Sequence, residues 1–103
     1  MRRQSLAILV TTARHPDYVL DLTRAAFTKD KSIHVHFSGR GVDLAVPSLL
    51  FELSEMADVS VCRESLGDSL RAGAGEDGPP LGMLAPPSRL AELLDRCDRH
   101  VVF

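Results

Sequence analysis

The stretch SLAILVTT at residues 5–12 decides the fold. Its apolar residues run on without alternation, the pattern of a strand covered on both faces inside a parallel sheet. Next comes His15-Pro16-Asp17, which opens a helix with proline at an early position and an acid in the first turn. Val19, Leu22 and Ala26 then recur at helical spacing, and Lys29 and Lys31 close the segment. Strand is followed by helix, and the alternation continues downstream. SIHVHFS at residues 32–38 reads as a second strand broken by Gly39-Arg40-Gly41, and Pro47 starts a helix with an apolar stripe of Leu49, Leu50, Leu53 and Met56. DVSVC at residues 58–62 reads as a third strand, followed at once by a short helix from Glu64 to Arg71.

Residues 73–87 (GAGEDGPPLGMLAPP) are rich in glycine, alanine and proline and are expected to form a long loop, with at most a short strand at residues 81–84. Ser88 is the expected N-cap of a last helix carrying Leu90, Leu93, Leu94 and Cys97 at i, i+3, i+4 and i+7, and residues 100–103 the expected terminal strand. Strands alternating with helices throughout predict one α/β domain over residues 1–103. The expected form is a three-layer α/β/α sandwich with a mainly parallel sheet of about five strands and right-handed crossovers.

The chain has 103 residues, which is one domain's worth against the roughly 100–150 typical of autonomous domains. With 45% hydrophobic and 25% charged residues its composition is that of a globular protein and excludes a disordered or collagen-like chain. A net charge of -2 and few aromatics argue against nucleic acid as the main partner. The apolar run after Arg2 and Arg3 is too short for a secretory segment or a membrane span, so the expected location is the cytosol.

In open α/β sheets the reactive groups gather outside the carboxyl ends of the strands. That rule selects the junctions at residues 11–14, 38–42 and 62–65, which are expected to share one edge of the molecule. Cys62 ends a strand and precedes a helix, where unpaired N–H groups and the helix dipole favour a thiolate. Arg63 adjoins it, and Arg14 and Arg40 come from the other two junctions. The plain alternative is a packed, inert cysteine, because free cysteine is among the most buried residue types. Cys97, on a leucine stripe, is expected to serve the core.

His34 and His36 fall on one face of the second strand, about 7 Å apart. Without a third ligand they are expected to form a polar patch on a partly exposed or subunit-facing strand rather than a metal site. The GAGEDG run at residues 73–78 spells G-x-G-x-x-G. It follows a helix and carries two acids where a pyrophosphate would sit, so no dinucleotide site is expected there.

Taken in order, AILVTT, FSGRGVDLA, VSVC before a short helix, a glycine- and proline-rich loop and the closing SRLAELLDRCDRHVVF resemble the DsrE/DsrF/TusD-like family of small sulfur-relay proteins. The resemblance runs from about residue 6 to 103. It implies that Cys62, in Cys62-Arg63-Glu64-Ser65-Leu66, stands where active members accept a persulfide sulfur. The chain departs from the family by having Arg40-Gly41 where an acid-glycine pair is frequent, and Leu70 where a glycine is frequent.

The resemblance implies a small cytosolic sulfur carrier or sulfurtransferase-like protein. Its Cys62 takes sulfur from a donor protein and passes it to an acceptor thiol, without a metal or organic cofactor. Arg63, Arg14 or Arg40 would stabilise the sulfur anion, and Ser65 would donate a hydrogen bond to it. It also implies a homo-oligomer, a trimer or hexamer, with no nucleic-acid or membrane partner. The same family includes subunits that serve only assembly, so a non-catalytic assembly or regulatory module is the alternative.

Overall fold

The computed structural model describes residues 3–71 and 79–103. Along them run β1 (Ser5–Val10), α1 (Pro16–Thr28), β2 (Ser32–Phe37), α2 (Pro47–Ser54), β3 (Asp58–Cys62), α3 (Arg63–Arg71), β4 (Leu84–Ala85), α4 (Ser88–Arg96) and β5 (Arg99–Val102). 3-10 turns occupy Gly39–Leu44 and Leu81–Met83. The strands form a single parallel sheet in the order β4-β3-β2-β1-β5. Among the described residues no helix is long and apolar enough to cross a membrane.

Three consecutive steps, from β1 to β4, travel one way across the sheet, and the last step returns to place β5 beside β1. Crossovers of one hand then put the first three helices on one face and the last on the other. The packing agrees. Val19 and Ala26 of α1 and Leu50 and Leu53 of α2 bury against Ile8, Val10, Ile33, Val35, Phe37 and Val61, with Leu66 of α3 joining the same cluster. On the opposite face Leu93 and Leu90 of α4, together with Cys97, cover Ala7 and Leu9. Residues 7–10 are therefore buried on both sides, the physical reason for their unbroken apolar run. Burying Leu50 and Leu53 contributes about 1.5–3 kcal/mol each.

Element ends differ from expectation in small ways. β1 stops at Val10, and Thr11 directs both its N–H and its hydroxyl to the Phe103 carbonyl. Ser88 is the first residue of α4 rather than its N-cap, because Pro87 before it already holds helical backbone angles (φ -54°, ψ -27°). Cys97 lies just past the end of α4, its N–H bonded to the Leu93 carbonyl. Only Leu84 and Ala85 pair with β3, so the fourth strand is two residues long and follows the 3-10 turn that occupies most of residues 81–84. α3 starts at Arg63, immediately after β3, and β5 starts at Arg99. The GAGEDG run at residues 73–78 lies outside the described residues.

Candidate functional site at the carboxyl edge of the sheet

The junctions after β1, β2 and β3 do meet at one edge. Ser38 N–H donates to the Val10 carbonyl at 3.0 Å, so the chain leaving β2 is tied to the end of β1. Gly39 N–H donates to Ser65 Oγ at 2.9 Å, tying the same segment to the start of α3. Gly39 has a positive φ of 54°, a conformation glycine adopts without a Cβ penalty. Gly41 is required for a different reason: a Cβ there would run into the Val10 carbonyl. The glycines of the second junction thus let the 3-10 turn lie directly on the end of β1.

Cys62 is the last residue of β3 and immediately precedes α3. It is only 5% exposed, so the thiol sits just inside the edge. Arg14, Arg40 and Arg63, expected to attend it, are exposed at the same edge, one from each junction. Ser65 is half-buried, and its hydroxyl oxygen serves as acceptor for Gly39 while retaining a proton to donate.

Strand parity decides what shares a face with Cys62. Val59 and Val61 turn toward α1 and α2, so Ser60 and Cys62 turn toward α4. His36 lies directly opposite Ser60 in the neighbouring strand and shares that face. Its side chain is completely buried, which corrects the expectation of a partly exposed or subunit-facing patch: β2 is the central strand, and α4 packs over that side of the sheet. His36 Nδ1 is 2.7 Å from Ser60 Oγ. Its other ring nitrogen, Nε2, is buried with no hydrogen-bond partner, and so is Nε of Arg89 in the first turn of α4. Burial, followed by the charge of Arg89, lowers the His36 pKa to about 4, so the ring is neutral near pH 7. Sequence reasoning placed His36 on the correct face but missed its pairing with Ser60 and the role of Arg89. The register of β2 against β3 carries the first signal; the second needs the path of α4.

His34 is partly exposed, with Nδ1 3.7 Å from the Asp58 carboxylate. Among the described residues no three His, Cys, Asp or Glu side chains are grouped as metal ligands. Cys97 is 8% exposed and packs with Ala7, Leu9 and Leu93, as a core residue should. Burial pushes its thiol pKa up, against a lowering contribution from a hydrogen bond with Ser5. In burial the two cysteines are therefore alike, contrary to the contrast expected of them, because the strand end that carries Cys62 is itself covered. They differ in location. Cys97 borders a cavity of about 400 Å³ at the amino edge with Arg3, Ser5, Ser32, His34 and Arg96, far from the edge that holds Cys62.

Fold and site together define a small parallel α/β/α sandwich with a covered thiol at the carboxyl end of a strand. No family model and no curated protein matches this sequence.

Proposed function

We propose that this chain is a sulfur carrier or sulfurtransferase-like protein of the DsrE/DsrF/TusD kind, holding persulfide sulfur on Cys62. The observation that carries the reading is the position of Cys62 as the final residue of β3, directly before α3, at the edge where three strand ends converge. That placement sets a nucleophilic sulfur beside the first backbone N–H groups of α3. Arg14, Arg40 and Arg63 are exposed at the same edge and provide charge for an incoming persulfide.

The thiolate attacks the outer sulfur of a donor persulfide, the donor leaves as a thiolate, and an acceptor thiolate later removes the sulfur. The step needs neither metal nor organic cofactor. Donor and acceptor are cytosolic proteins, and the carrier works as a homo-oligomer, a trimer or hexamer. Exposed Phe51, on the outer face of the α1/α2 layer, and exposed Leu81, in the turn before β4, supply apolar surface for such contacts.

The 5% exposure of Cys62 favours a second reading, in which the thiol only packs and the domain serves assembly or regulation. Exposure of the native protein to a small-molecule persulfide, followed by intact mass measurement, separates the two. The carrier gains one sulfur atom on Cys62, and Cys62→Ser abolishes the gain while Cys97→Ser retains it. A native chain that takes up no sulfur belongs to the second reading.

A further inference from the structure

On the face of the sheet that α4 covers lie three chemically active groups. Cys62 and Ser60 are two residues apart in β3, a rise of about 7 Å, and His36 lies opposite Ser60 in β2. Ala85, the β4 partner of Cys62, is three residues before Ser88, the first residue of α4. α4 follows β4 within three residues and packs on β1, so it crosses this face of the sheet, and Arg89 of its first turn lies close enough to His36 for its charge to act on the ring. Two buried nitrogens there, His36 Nε2 and Arg89 Nε, have no hydrogen-bond partner. A buried polar group left without a hydrogen bond is destabilising, so the pair, and His36 Nε2 above all, needs a reason beyond packing.

The geometry points to His36 and Arg89 as the anion-holding half of the Cys62 site, with Nε2–H of His36 and the guanidinium of Arg89 receiving the terminal sulfur anion of a Cys62 persulfide. This rests on the carrier reading. The Cys62 thiolate attacks the outer sulfur of R–S–SH, the donor S–S bond breaks with its electron pair leaving on R–S⁻, and Cys62–S–SH forms. R–S⁻ then takes the persulfide proton, giving R–SH and Cys62–S–S⁻; atoms and charge balance with no oxidant or reductant.

The assignment takes the Ser60 hydroxyl as donor to Nδ1 in their 2.7 Å contact, which leaves the single proton of the neutral imidazole on Nε2 and makes that atom a donor. The low pKa of His36 fits this use, since a ring that stays neutral donates a hydrogen bond without giving up its proton. Arg89 supplies the charge. Glu92 is its competitor, with a carboxylate oxygen 3.3 Å from Nε that makes an ion pair but no hydrogen bond. Both side chains of that pair are more than two-fifths exposed, so an arriving anion displaces Glu92 at little cost.

Two measurements test the proposal without requiring sulfur. In a Cys97→Ser background, the rates at which iodoacetate and iodoacetamide alkylate Cys62 are compared at one pH. The two reagents differ in charge and share the same thiolate, so their ratio reads the charge around Cys62, and its change in an Arg89 variant reads the share of Arg89. Arg89→Gln should lower the ratio by roughly tenfold, the scale of one charge-assisted contact. Arg89→Lys should restore much of it, and Glu92→Gln should raise it. Nitrogen NMR of the histidines should find His36 protonated on Nε2, with that N–H shifting when Cys62 is carboxymethylated.

An alkylation ratio indifferent to Arg89→Gln, or a His36 protonated on Nδ1, overturns the assignment. Should both results come out as stated while no persulfide loads, His36 and Arg89 stand as an anion site and the carrier reading fails. Loading with an unchanged ratio keeps the carrier and removes Arg89 from it.

Discussion

His36 Nδ1 and Ser60 Oγ lie 2.7 Å apart across the centre of the sheet, the contact that orients a fully buried imidazole between β2 and β3. Its energetic weight comes from what its loss would leave behind. Ser60→Ala strands Nδ1 in the interior and should lower unfolding free energy by about 1–3 kcal/mol. In His36→Phe the same serine change should cost much less, because the group it would have orphaned is gone. A double-mutant cycle by urea denaturation reads the coupling; additive losses would show that the two side chains do not depend on each other.

Acid should weaken the fold through His36. Its folded pKa of about 4 lies below the ~6.5 of an unfolded histidine, so between those values the unfolded chain binds a proton that the native chain refuses. Stability is retained above about pH 6.5 and falls as the pH drops toward 4, by up to about 3 kcal/mol. Denaturation midpoints followed from pH 7 to 4.5 should show the decline, and His36→Phe should flatten it. An equal slope in that variant would assign the acid sensitivity to other groups.

Gly41→Ala should destabilise the protein by about 1–3 kcal/mol. The added Cβ meets the backbone of Val10, which cannot yield as a side-chain tip does. Gly82→Ala serves as the matched control, since nothing lies within 4 Å of its Cβ position. Thermal melts of the two variants should separate clearly; similar melting points would mean that the turn at Gly39–Leu44 moves off β1 without cost.

Cys97 should resist alkylation in the native state and react once the chain is unfolded in denaturant. Burial disfavours its thiolate, and the leucines of α4 cover it. Peptide mapping after a timed alkylation would show this. Rapid native labelling of Cys97 would place it in an opened amino edge rather than in the core.

Much of this molecule is written in local patterns. The unbroken run at residues 7–10, the Pro16 and Pro47 helix starts and the stripe of Leu50 and Leu53 each report a neighbourhood through their own spacing, because burial on one or both faces selects residues at period 2, period 3.6 or without a break. The convergence of three strand ends was legible for the same reason: parallel strands joined by helices leave every β-to-α junction on one edge. The position of Cys62 follows from these local features, whereas the need for glycine at 41 comes from the Val10 backbone of the neighbouring strand.

What only the tertiary structure decided is the company each residue keeps. Nothing within SIHVHFS says that β2 is the central strand or that His36 is wholly buried, because strand order is set by long-range pairing. The same holds for Arg89, 53 residues from His36 by their numbers in the sequence and brought near enough by α4 for its charge to act on the ring. A side chain's period along an element tells which way it faces. The charge, burial and unpaired donors that it meets there depend on elements distant in sequence, and these give Cys62 and His36 their chemistry.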